Sequence, residues 1–107
     1  MSSNNPILNI RNTKADENLL YFYRSTCPFT KKAEPHINCL ETTLNLKLTR
    51  LETTVSQNGD LYDSVGGEEY CGGVPFFYNK ETGSTVCGAR DCEILKKWAN
   101  STTKVHF

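Results

Sequence analysis

The chain has 107 residues, five of them cysteine, and its twelve basic residues are matched by twelve acidic ones. That size allows one domain with a core of its own, over residues 1–107, and a mixed, balanced charge gives no sign of a nucleic-acid or membrane partner. No apolar run approaches the ~20 residues that a membrane span needs.

The opening stretch, MSSNNPILNIRN, shows neither the apolar core of a secretory signal nor the Arg-rich character of a transit peptide. The expectation is a soluble, cytoplasmic monomer. Residues 1–18 read as an N-terminal extension, with Ile7-Leu8-Asn9-Ile10 as a candidate edge strand. LLYFYR at 19–24 is apolar, aromatic and bounded, the pattern of a buried strand. From Pro28 a helical period begins, with Phe29, Ala33, Ile37, Leu40 and Leu44 on one face. Thr26 is placed to cap that helix and Pro28 suits its first turn, whereas Pro35 must kink or end it.

LKLTRLE at 46–52 alternates as a strand, with Leu46, Leu48 and Leu51 toward the core. The next stretch is loop with a short helix near 61–65, stopped by Gly66 and Gly67. VPFFYN at 74–79 and STVCG at 84–88 form a hairpin around the turn KETG. Asp91 caps a last helix whose inner face carries Ile94, Leu95 and Trp98. This order of elements predicts an α/β sandwich, a mixed sheet of about four strands with helices on its faces.

Cys27 stands where the first strand hands over to the first helix. There the first-turn N–H groups and the helix dipole favour a thiolate, and Arg24 adds a positive charge. An ordinary thiol is only about three per cent ionised at neutral pH, and such surroundings bring its pKa down to roughly 3.5–7.5. A second element is CGGVPFF, residues 71–77, where Pro75 opens a strand that topology makes central and is a candidate cis proline after Gly73.

With CPFT and Pro35, then GGVPFF, then VCGARDCEILKKW, the chain resembles the thioredoxin superfamily across roughly residues 19–100. The resemblance implies a thioredoxin-like three-layer sandwich. It makes Cys27 the nucleophile and Val74-Pro75 the cis-proline loop. The Cys-Pro-aromatic motif, the basic residue three before the cysteine and the turn Gly88 to Asp91 are similar to glutaredoxins. They imply a tripeptide site in which Pro28 and Phe29 flank the thiol and the Val74 backbone pairs with the cysteinyl part. The turn of Ala89, Arg90 and Asp91 would hold the γ-glutamyl end, and Arg24 would face a carboxylate. The implied activity is thiol–disulfide exchange on disulfide or glutathionylated proteins, with glutathione as co-substrate and no required cofactor.

Departures from the family pattern shape that expectation. Thr30 occupies the place of a resolving cysteine, so the motif is monothiol, although its hydroxyl can stabilise the thiolate. Thioredoxin's buried Asp and its Trp are replaced by Tyr21 and Thr26, and the Cys-Gly-Phe-Ser of monothiol glutaredoxins is missing. A [2Fe-2S] cluster on Cys27 and glutathione, as in those glutaredoxins, and a non-catalytic peptide-binding module are the alternatives. His36 and His106 lack partners at ligand spacing, so no zinc site is expected.

An odd cysteine count argues against a fully paired framework, and mostly free cysteines are expected. Cys39 lies off the apolar stripe of its helix and reads as a flank residue without a role, while Cys92 reads as core packing. Cys71 is either a distant resolving thiol for Cys27 or the partner of Cys87 across the hairpin.

Overall fold

The computed structural model describes residues 14–107, so the edge strand expected at 7–10 lies outside the described residues. Eight elements follow one another: β1 (Ala15–Tyr23), α1 (Pro28–Leu44), β2 (Lys47–Glu52), α2 (Ser56–Ser64), α3 (Gly67–Tyr70), β3 (Phe76–Asn79), β4 (Thr85–Cys87) and α4 (Cys92–Ala99). The strands form one four-stranded mixed sheet in the order β2-β1-β3-β4. β1 pairs parallel with β2 and antiparallel with β3, and β3 pairs antiparallel with β4.

β1 is central, which explains its unbroken apolar run. Leu19 and Tyr21 point to one face, and Leu20 and Phe22 to the other, and all four are buried. On the first face they meet Ala33, Ile37 and Leu40 of α1 and Leu95 and Trp98 of α4. On the second face Leu20 and Phe22 pack with Phe76 and with Tyr62 of α2. Burying a side chain of this size contributes about 1.5–3 kcal/mol. Trp98 anchors the first face, its indole edge-on to Phe77 and its N–H donating to the Ser84 carbonyl at 3.0 Å.

Several expectations need correction. Of the two effects expected of Pro35, ending α1 does not occur, since the helix runs on to Leu44. Thr26 does not cap it; Cys27 itself is the N-cap residue, because its N–H closes a turn on the Arg24 carbonyl at 2.9 Å and leaves Thr26 outside the helix. Phe29 is 55 % exposed, not on the inner face. At 100° per residue Phe29 lies about 80° from Ile37, whereas Thr30 lies only about 20° away and is the residue that is buried. Leu51 packs with the second cluster while Leu46 and Leu48 join the first, since odd and even strand positions face opposite sides.

Instead of a short turn of helix near 61–65, α2 spans Ser56–Ser64, and Gly67 opens α3 rather than stopping a helix. Gly66 takes the left-handed conformation between them (φ 85°). Asp91 caps α4 as expected, accepting from the Ile94 N–H at 3.0 Å. Beyond α4 the chain returns to the sheet edge, where the Thr85 N–H donates to Val105 O and the Phe107 N–H to Thr85 O. Among the described residues no helix is long and apolar enough to cross a membrane.

The cysteines differ most from expectation. Four of the five are paired, Cys39 with Cys92 and Cys71 with Cys87. Cys39 and Cys92 are therefore neither a bystander nor simple packing: their Cα atoms lie 5.9 Å apart and join α1 to α4. Of the alternatives for Cys71, the pairing with Cys87 is the one present. Cys27 alone is free.

Candidate active site around Cys27

Two segments meet at Cys27. The first is the turn between β1 and α1. β1 ends at Tyr23, whose carbonyl accepts from the Thr53 N–H at 2.9 Å, and the Ser25 N–H is held by the Glu52 carboxylate at 3.1 Å. These bonds tie the turn to the end of β2. Pro28, which has no N–H to satisfy, then takes the first helical position. The second segment is the loop before β3, where the Val74–Pro75 peptide is cis and Pro75 is fully buried. The Cys27 thiol lies 3.8 Å from the Val74 carbonyl, bringing together residues 47 apart in sequence.

The thiol is partly exposed, and its surroundings favour the thiolate. Burial pushes its pKa up, but the N–H groups of Thr30 and Phe29, the Thr30 hydroxyl and the charge of Arg24 together push it down further. The net result is a Cys27 pKa below the ordinary thiol value. Thr30 is well placed for this role. It is buried, and its Oγ1 accepts from the Arg24 N–H at 3.4 Å, which leaves the hydroxyl proton for the sulfur. Replacing Thr30 by valine is expected to raise the Cys27 pKa and slow its alkylation at pH 7 about threefold to tenfold, read from iodoacetamide labelling against pH. An unchanged midpoint would show that the hydroxyl contributes nothing.

A cleft of about 470 Å³ lies next to the Val74 loop; Arg24 and Val74 line it, but Cys27 itself does not. Arg24, Gly73 and Val74 form one side of it and Asp60, Tyr62 and Asp63 of α2 the other. Ala89, Arg90 and Asp91 do not line it. Their turn is instead joined to the proline loop, the Gly88 N–H donating to Pro75 O at 2.8 Å with Gly88 at φ 87°. The Asp91 carboxylate is engaged as the cap of α4, and Arg90 is exposed. Pro28 and Phe29 are exposed at the start of α1, with Lys32 over the Phe29 ring.

Tyr62 is the functional neighbour that sequence reading passes over. Its hydroxyl donates to the Gly73 carbonyl at 2.8 Å, so it holds the loop that presents Val74. The Gly66-Gly67 pair is the signal for it, because a Cβ on Gly67 would sit 2.5 Å from the Tyr62 ring. Tyr21 donates to the Glu34 carboxylate at 3.2 Å, and Arg50 bridges Glu34 and Glu41. Burial first, and then the Glu34 charge, hold the Tyr21 phenol far above its ordinary pKa, so it stays a neutral donor.

Among the described residues no group of three or more His, Cys, Asp or Glu side chains is arranged to hold a metal ion. From this chain, Cys27 is the single free thiol that a cluster could use. Comparison with protein-family models, with curated proteins and with solved structures gives no match to this chain.

Proposed function

We propose that the chain is a thiol–disulfide oxidoreductase of thioredoxin-like fold acting through Cys27. The observation that carries the proposal is a free thiol with a lowered pKa at a helix start, facing the carbonyl that precedes a cis proline. The sheet order, with one parallel and two antiparallel pairs and helices against both clusters, agrees with a thioredoxin-like sandwich.

In this reading the Cys27 thiolate attacks one sulfur of a substrate disulfide. The new bond joins Cys27 to that sulfur, and the other sulfur leaves as a thiolate that takes up a proton. Where the substrate is a glutathionylated protein, the mixed disulfide on Cys27 is with glutathione, and a second thiol releases it. The Val74 carbonyl and its loop lie where an incoming chain would pass the sulfur. Two disulfides suit an oxidising compartment better than the cytoplasm.

The test is the rate of iodoacetamide alkylation of Cys27 as a function of pH. A midpoint clearly below that of a free cysteine peptide supports the proposal, together with loss of exchange on a glutathionylated peptide in Cys27→Ser. An ordinary midpoint would sink it and leave the loop as a peptide-docking module.

A further inference from the structure

Thr30 leaves Cys27 without a second thiol in its own motif, yet a disulfide sits on the loop that faces it. The Cys27 sulfur lies 3.8 Å from the Val74 carbonyl, and the Cys71 sulfur lies 3.8 Å from the Pro75 carbonyl, the next one along the chain. Cys71 is bonded to Cys87, whose backbone pairs with Phe76 in the β3–β4 ladder. Between Cys71 and Val74 stand Gly72, at φ 72°, and Gly73, around whose Cβ position no atom comes within 4 Å. Both are exposed, so the two residues linking Cys71 to Val74 can change conformation without displacing packed side chains once two hydrogen bonds open, Gly72 N–H to Gly67 O and the Tyr62 hydroxyl to Gly73 O. Cys87, in contrast, is fixed in a strand.

We infer that the Cys71–Cys87 disulfide is the second redox centre of the Cys27 site, exchanging with Cys27 so that a substrate dithiol is oxidised. The inference rests on the exchange chemistry proposed for Cys27. The Cys27 thiolate attacks Cys71, the Cys27–Cys71 bond forms, and Cys87 leaves as a thiolate and takes up a proton. One thiolate of the substrate dithiol then attacks Cys27, releasing Cys71. The second substrate thiolate attacks the sulfur bound to Cys27, which closes the substrate disulfide and frees Cys27. Two electrons and two protons pass from the substrate dithiol to Cys71 and Cys87, and Cys27 ends as it began. Attack falls on Cys71 because it is the end of the disulfide on the glycine loop. Cys39–Cys92 takes no part: Cys39 lies twelve residues along α1, about 18 Å from Cys27.

The test mixes the oxidised full-length protein with a limiting two-cysteine peptide in its dithiol form, followed by acid quench, alkylation and mass mapping of each cysteine. The wild type should oxidise the peptide while reducing one equivalent of Cys71–Cys87 and leaving Cys39–Cys92 intact. Cys27→Ser should slow the loss of Cys71–Cys87 about tenfold or more. Equal rates in the two proteins would overturn the inference. As a second measurement, diamide oxidation of Cys87→Ser should trap a Cys27–Cys71 bond, and Cys71 recovered alkylated in every oxidised species would overturn it. If Cys27 keeps its acidic alkylation profile while no Cys27–Cys71 bond forms, the relay falls and the exchange activity stands. If the profile is ordinary, both fall.

Discussion

Replacing both Cys39 and Cys92 by serine is expected to remove about 4 kcal/mol of stability, close to the whole stability of a weak domain. The bond closes a loop with a sequence separation of 53, and the entropy that such a closure takes from the unfolded chain grows with the logarithm of loop length. The Cys71–Cys87 bond, with a separation of 16, is expected to contribute about 3 kcal/mol by the same reasoning. Urea unfolding of the oxidised wild type and the double serine variant separates the two contributions. The variant should show a lower midpoint and a steeper slope, since its unfolded chain is more expanded. Equal midpoints would mean that α1 and α4 need no tie beyond their packed side chains.

Gly67→Ala is expected to cost about 1–3 kcal/mol through overpacking. The added methyl would meet three atoms of the Tyr62 ring at 2.5 Å. That ring cannot swing aside, because it packs edge-on against both Phe22 and Phe76 and is buried. A shift of Tyr62 also weakens its hydroxyl bond to Gly73 and so loosens the loop that carries Val74. Unfolding measurements should therefore show a loss of stability, and disulfide exchange should fall with it. A variant with wild-type stability would show that α3 can move as a unit to make room.

How much of this could be read from the chain depends on whether a feature is local. The apolar half of β1, residues 19–23, was legible because a central strand must be apolar on both faces, whereas its polar start at 15–18 read as part of the N-terminal extension. The cap at Asp91 and the hairpin at KETG depend on residues within a few positions, and both are present. Pro35 does not stop α1, because its lost donor and its ring fall on the exposed side, where the helix tolerates them. Phe29 misleads because spacings of four drift by about 40° per step, so a stripe traced that way leaves the true face within two turns. The disulfides lie beyond local reading altogether. Cys39 is exposed on a helix flank, and only the packing of α4 against α1 brings Cys92 to it. At the site, Cys27, Thr30, Arg24 and the cis proline were legible from position, while Tyr62 was not, since its role is a contact across eleven residues of loop and helix.

The contacts that lower the Cys27 pKa bear on more than the attack step. A thiolate that the folded chain stabilises is also a good leaving group, so a mixed disulfide at Cys27 is prone to be displaced by the next thiol. The same contacts couple folding to protons. Because the folded pKa lies below the unfolded one, the stabilisation is full above the ordinary thiol pKa and fades as pH falls through the folded value. Alkylating or oxidising Cys27 removes the charge that Thr30, Phe29 and Arg24 hold, and with it that contribution. With Cys27 free the folded chain keeps that contribution, and in the proposed exchange a mixed disulfide on Cys27 would forgo it.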